Sequence, residues 1–196
     1  MLTLPNTRQQ DPKVKLSHEK VLWDPTCAKE QFMTLDPKGC LQYWKFSSNF
    51  SGVKELNAVY DPSTLKNLTC GCWDPHYPNR FITGNDKSLR VWDVNQLHMK
   101  CTDTIANAHS NSILAVDHNP NKPFHIISSG KDNTIKFWDL RNTKKPLKIL
   151  SNHSHWIWNC RYNRFHDQLV LSSGSDALVS LWNIVSVSSA PLGELE

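Results

Sequence analysis

At 196 residues the chain is long enough to bury a core, and its 39% hydrophobic and 20% charged residues, with no Gly/Ser/Pro tract and no block of like charge, exclude a disordered protein. The formal charge of +4 comes from 22 Lys plus Arg against 18 Asp plus Glu, spread without a basic stripe, which argues against nucleic acid as a partner. No apolar stretch nears the roughly 20 residues needed to span a bilayer, and Met1 to Gln10 lacks the apolar run of a secretory signal, so a soluble, intracellular chain without membrane insertion is expected.

In chain order, four segments of short strands follow one another, over roughly 14–58, 64–106, 109–150 and 153–196. The first closes an inner strand at Trp23-Asp24-Pro25 and carries a degenerate turn and strand from Pro37 to Lys45, ending in Tyr43-Trp44. The second has Trp73-Asp74-Pro75 and then Gly84 to Asp93, reading GNDKSLRVWD. The third has His118-Asn119-Pro120 and Gly130 to Asp139, GKDNTIKFWD; the fourth has Tyr162-Asn163 and Gly174 to Asn183, GSDALVSLWN. Trp44, Trp92, Trp138 and Trp182 are 48, 46 and 44 residues apart, close to the ~40–45 residues of one propeller blade. His109 and His153 each stand 29 residues before their tryptophan.

Each copy has the same physical content, a polar turn followed by a strand with apolar residues three and one positions before the Trp. Leu41/Tyr43, Leu89/Val91, Ile135/Phe137 and Val179/Leu181 are those pairs. Period-two alternation sets each pair on one sheet face, against a neighbouring blade, and the indole on the other. A helix does not produce this pattern.

The six cysteines, Cys27, Cys40, Cys70, Cys72, Cys101 and Cys160, are irregularly spaced within apparent strands and read as buried thiols. Cys70, Cys72 and His76 form the one dense cluster, but three ligands fall short of a closed zinc site, and no metal or other cofactor is expected. His109, Asp132 and Ser128 have the residue types of a hydrolase triad. The same trio recurs as His153, Asp176 and Ser172, which marks a fold element and not a catalytic group. With no Gly-rich phosphate loop and no carboxylate pair outside the turns, the chain reads as a binding scaffold and not an enzyme.

A loop His, Ser-Ser-Gly-x-Asp and Trp-Asp together resemble the WD-repeat β-propeller family, which implies an all-β, WD40-type propeller of about four blades. The resemblance implies a hydrogen-bonded tetrad in the third blade, His109, Ser128, Asp132 and Trp138, and another in the fourth, His153, Ser172, Asp176 and Trp182. By the same alignment the second blade keeps Asp86 and Trp92, with Ile82 at the Ser position, and the first keeps only Trp44. Those two blades are therefore expected to rest mainly on apolar packing.

From about Asn107 onward, His153-Ser154-His155-Trp156-Ile157-Trp158-Asn159-Cys160-Arg161-Tyr162-Asn163 and His166-Asp167-Gln168-Leu169-Val170-Leu171 are similar to the EARP and GARP complex-interacting proteins, also called tumour-suppressing subtransferable candidate proteins. That family has roughly seven blades, so a chain shortened at both ends is expected. The resemblance implies a non-catalytic adaptor for the EARP and GARP tethering complexes, cytoplasmic and peripheral at the trans-Golgi network and endosomes. Its processes would be endosomal recycling, endosome-to-Golgi transport and secretory-granule sorting. Trp156 and Trp158 read as partner-binding anchors, with Ser112 and Leu114 at the equivalent places one blade earlier. Lys131, Ser175 and Asn85, each just before a turn Asp, join the same surface. Arg141, in Trp138-Asp139-Leu140-Arg141, resembles the motif of cullin-RING ubiquitin-ligase substrate receptors, which is the alternative reading; histone or chromatin binding is a further one.

Overall fold

The chain is described here by a computed structural model covering residues 20–24, 31–46, 53–61, 65–95 and 98–189. Among the described residues fifteen strands form four antiparallel sheets, and within each sheet every strand pairs with the next in sequence. Blade 1 comprises β1 (Lys20–Trp23), β2 (Gln31–Asp36), β3 (Cys40–Phe46) and β4 (Val53–Tyr60). Blade 2 comprises β5 (Leu68–Trp73), β6 (Arg80–Asn85), β7 (Ser88–Asn95) and β8 (His98–Ile105). Blade 3 comprises β9 (Ile113–His118), β10 (His125–Gly130), β11 (Ile135–Asp139) and β12 (Lys148–Leu150), and blade 4 β13 (Ile157–Tyr162), β14 (Leu169–Gly174) and β15 (Val179–Asn183), followed by a 3-10 turn at Val185–Val187. The first blade's expected start at 14 and the last blade's expected end at 196 lie outside the described residues, as do Pro25 and Cys27.

Turn chemistry sets these hairpins. The β2–β3 turn has Gly39 at φ 94°, a left-handed position that glycine takes without steric cost. Asn133 (φ 60°) and Ala177 (φ 61°) hold the matching place in the β10–β11 and β14–β15 turns, although Ala lacks the side-chain oxygen that suits Asn to it. Gly130 is required by a close approach: a Cβ there would lie 2.5 Å from the Ser112 carbonyl oxygen.

The hydrophobic cores lie between blades, and the same rule builds each. Leu41 and Tyr43 of blade 1 meet Trp73, Phe81 and Trp92 of blade 2. Leu89 and Val91 of blade 2 meet Ile113, Val116, Ile126 and Trp138 of blade 3. Ile135 and Phe137 of blade 3 meet Ile157, Cys160, Val170 and Ile184 of blade 4, with Trp182 against them. The alternation read from sequence thus becomes a stack in which the apolar pair of one blade receives the indole face of the next. Blade 4 departs from it: Val179 and Leu181, expected against a neighbour, are each 69% exposed, because no described blade follows. The corresponding Ile135 and Phe137 are at most 1% exposed. The four sheets form part of a propeller and do not close a ring.

The strand directions define two rims. The inner strands β5, β9 and β13 begin at one, here the entry rim, and end at the other, the exit rim.

Candidate functional site

At the entry rim of blade 3 four side chains form one hydrogen-bonded line. The Trp138 indole N–H donates to Ser128 Oγ at 2.9 Å, and Ser128 Oγ lies 2.7 Å from His109 Nε2. His109 Nδ1 lies 2.9 Å from Asp132 Oδ1. An indole N–H can only donate, so the serine hydroxyl is free to give its proton to Nε2, which leaves the imidazole proton on Nδ1 facing the carboxylate. Blade 4 repeats the line: Trp182 to Ser172 at 2.8 Å, Ser172 to His153 Nε2 at 2.8 Å, and His153 Nδ1 to Asp176 at 2.8 Å.

Burial lowers the His109 pKa below its ordinary value despite the bond to Asp132, so the ring is neutral. Burial works the other way on the Asp132 carboxyl, yet the bonds from His109, the Thr134 hydroxyl and the Ser110 amide hold it well below the carboxylate range. In Asp176 burial is likewise outweighed, by His153 and by the amides of Leu178 and Ser154. These carboxylates serve as struts: each ties a turn, a loop histidine and an inter-blade indole together.

Blades 1 and 2 correct the sequence reading. The Trp44 N–H donates to Thr34 Oγ1 at 3.0 Å, so blade 1 retains more than its tryptophan. The Trp92 N–H donates to Thr83 Oγ1 at 2.9 Å, and the Ser position therefore belongs to Thr83 and not Ile82, whose side chain is fully buried in the core against blade 3. The physical reason is a turn shorter by one residue. Trp92 pairs with Phe81, eleven residues back, whereas Trp138 pairs with Ile126, twelve back. The hydroxyl lies two residues after that cross-strand partner in both cases. The same short turn carries Asp86 outward at φ 49°, where it accepts a bond from the Ser112 hydroxyl at 3.2 Å instead of joining a tetrad. Opposite the indole these blades carry an aromatic ring: Phe32 on Trp44 with centroids 6.2 Å apart, and Phe81 on Trp92 at 5.9 Å, both stacked.

The proposed anchors cluster on the entry rim. Trp158 is 47% exposed and meets the half-buried Trp156 edge to face, with centroids 6.0 Å apart. Lys131 Nζ lies 4.4 Å from the centroid of the Trp156 ring, within cation–π range. The Trp158 indole N–H donates to Ser175 Oγ, and the Lys131 amide donates to the Ser112 carbonyl at 2.8 Å. Leu114 is half-buried on β9, and Asn85 is buried with its Oδ1 bonded to Arg90 Nε at 3.0 Å, which removes Asn85 from the surface group. Arg141 stands apart from them, on the exit rim, with its guanidinium closed on Asp139 at 2.7 Å.

A family model described as the EIPR1 beta-propeller matches residues 4–182. The chain belongs to the EIPR1 β-propeller family. The human protein named EARP and GARP complex-interacting protein 1 is 39% identical over 177 residues, which are 89% of this chain and 45% of that relative. The EARP-interacting protein 1 of Caenorhabditis elegans is 35% identical over 148 residues, 70% of this chain and 41% of its own. The WD repeat-containing protein DWA2 of Arabidopsis thaliana is 31% identical over 162 residues, 83% of this chain and 44% of its own. The chain spans less than half the length of these relatives.

In this EIPR1-family chain the described cysteines Cys40, Cys70, Cys72, Cys101 and Cys160 form no disulfide. Burial raises the thiol pKa of Cys70, raises Cys72 further, and pushes Cys160 up to about 12, so these sulfurs stay protonated. Cys72 packs in the core between blades 2 and 3, while the His76 ring bonds the Asn119 carbonyl at 2.9 Å. Among the described residues no three His, Cys, Asp or Glu side chains are grouped to hold a metal ion, and no helix is long and apolar enough to cross a membrane.

Proposed function

We propose that this propeller segment is a non-catalytic adaptor that associates with the EARP and GARP tethering complexes, and that the entry-rim group Trp156, Trp158, Lys131, Ser175, Ser112 and Leu114 contacts them. One observation supports this most: a large aromatic side chain, Trp158, stands about half exposed and is held in place by Trp156 and Ser175. A rigid aromatic anchor ringed by polar groups is the usual form of an interface hot spot. The family and the names of its relatives support the choice of partner. On this reading the chain is peripheral at the trans-Golgi network and endosomes and serves recycling, endosome-to-Golgi transport or granule sorting.

A substrate-receptor role in a ubiquitin ligase would need Arg141 to give up Asp139, which already takes its guanidinium with two short bonds. Affinity purification with mass spectrometry tests the choice. Tether subunits should be recovered with the wild-type chain and fall about tenfold or more with Trp158→Ala at unchanged thermal stability. Recovery of a cullin adaptor that disappears with Arg141→Ala would instead establish the second role.

A further inference from the structure

The exit rim between blades 2 and 3 holds a group that the tethering role does not use. The Arg80 guanidinium carbon lies 4.9 Å from the centroid of Tyr77 and 5.3 Å from that of Phe124, so the cation sits against two rings. Those rings are tilted on one another with centroids 5.4 Å apart. Arg141 also approaches Phe124, with its guanidinium carbon 5.6 Å from the ring centroid. The two cations differ in one respect. Arg141 is closed on Asp139, but among the described residues no carboxylate lies within ion-pair distance of Arg80. Its planar donor fork is positioned by stacking and left unneutralised.

The backbone at Phe124 points the same way. Its carbonyl accepts the Leu140 amide, as the Asn79 carbonyl accepts Val94 and the Gln168 carbonyl accepts Ile184, so three blades share this turn. Of the three, Phe124 alone has a positive φ, 66°, a region that a bulky side chain rarely enters. Glycine or asparagine would suit that backbone, and blade 2 carries Asn79 at the corresponding place. A strained aromatic in a partly exposed position, close to two guanidiniums, points to a use beyond folding.

We infer that Tyr77, Arg80, Phe124 and Arg141 form a second docking surface, for an acidic peptide segment of a partner protein, in which a carboxylate takes the Arg80 fork and an apolar side chain lies on Phe124. The positive potential left by Arg80 fits an acidic partner, and the small size of the cluster fits a short side-chain motif. A polyphosphate backbone needs a track of free cations, whereas Arg141 and Arg161 are paired with Asp139 and Asp117 and Lys122 is turned to the carbonyls of Val187 and Ser188.

The test is fluorescence anisotropy at physiological ionic strength with the full chain and a labelled peptide of eight glutamates interrupted by one tryptophan. Saturable binding is expected, absent when lysines replace the glutamates, and weakened about tenfold by Arg80→Lys, which keeps the charge but loses the planar fork. Phe124→Asn should weaken binding similarly while its thermal midpoint stays level or rises, an outcome a merely structural Phe124 would not give. Trp158→Ala should leave this binding unchanged, so failure here is separable from failure of the tethering role. The inference is overturned by absence of saturable binding, by equal binding of the lysine peptide, by tighter binding of RNA or phosphatidylserine vesicles than of the peptide, or by indifference to both rim substitutions.

Discussion

Blades 1 and 2 and blades 3 and 4 pin the same indole by different means. In all four a strand hydroxyl takes the tryptophan N–H, from Thr34, Thr83, Ser128 and Ser172. Behind that hydroxyl, blades 3 and 4 add an imidazole and a carboxylate, whereas blades 1 and 2 place Phe32 or Phe81 flat on the indole. The residues opposite Trp138 and Trp182 are the smaller Ile126 and Val170. The shared hydroxyl is thus the common requirement of the blade. The histidine and the stacked phenyl ring are two alternative ways to hold the indole behind it, one polar and, through His109 in blade 3, sensitive to acid, the other apolar and indifferent to it.

The largest expected effect falls on the apolar half. Phe81→Ala should cost about 3–5 kcal/mol in chemical denaturation, because it empties a fully buried site and removes the stack. Val170→Ala at the matching place in blade 4 removes far less volume and should cost less. Equal costs would break the distinction between the two halves.

Acid should act on the polar half. His118, at the exit end of β9, is 5% exposed with neither ring nitrogen bonded. Burial lowers its pKa to about 4, against the opposing pull of Asp74 and with help from His76 and Arg80. Between that value and the unfolded value of about 6.5 the unfolded chain binds more protons, so stability falls as pH drops through this window. The loss from His118 is on the order of 3 kcal/mol, and the lowered pKa of His109 acts in the same direction. Hydrogen exchange at pH 7 and pH 4.5 should show β9–β11 losing protection before β2–β3, and His118→Leu should flatten the response.

Smaller effects sharpen the assignment of individual residues. Asp132→Ala leaves a buried imidazole N–H without its acceptor, and about 1–3 kcal/mol of destabilisation is expected by thermal denaturation. Asp86→Ala, at the turn position that aligns with it in sequence, should change stability by no more than ~0.5 kcal/mol, since that side chain is exposed. Thr83→Val should cost about 1 kcal/mol, and Thr83→Ser should restore most of it.

These contrasts also mark what was legible in the sequence. The all-β architecture and the inter-blade apolar pairs of blades 1 to 3 follow from the alternation and the constant spacings, and the His-Ser-Asp-Trp lines of blades 3 and 4 follow from the resemblance to WD-repeat propellers. Counting back from the tryptophan failed in blade 2 because hydroxyl placement obeys cross-strand register, which a turn shorter by one residue shifts from Ile82 to Thr83. Thr34 in blade 1 was within reach, since it keeps the ten-residue offset of Ser128 and Ser172; the missing loop histidine masks it. The exit-rim group was out of reach: Tyr77, Arg80, Phe124 and Arg141 meet only when adjacent blades pack, and no local pattern connects them.

Indole hydrogen exchange read by NMR reaches the shared element directly, through one resolved N–H per tryptophan. The hydroxyl-pinned Trp44, Trp92, Trp138 and Trp182 should all exchange slowly at neutral pH, and on acidification Trp138, backed by His109, should speed up while Trp44 and Trp92 do not. If Trp44 and Trp92 exchange as fast at neutral pH as the half-exposed Trp158, the threonine pins do not exist and the account of blades 1 and 2 is wrong.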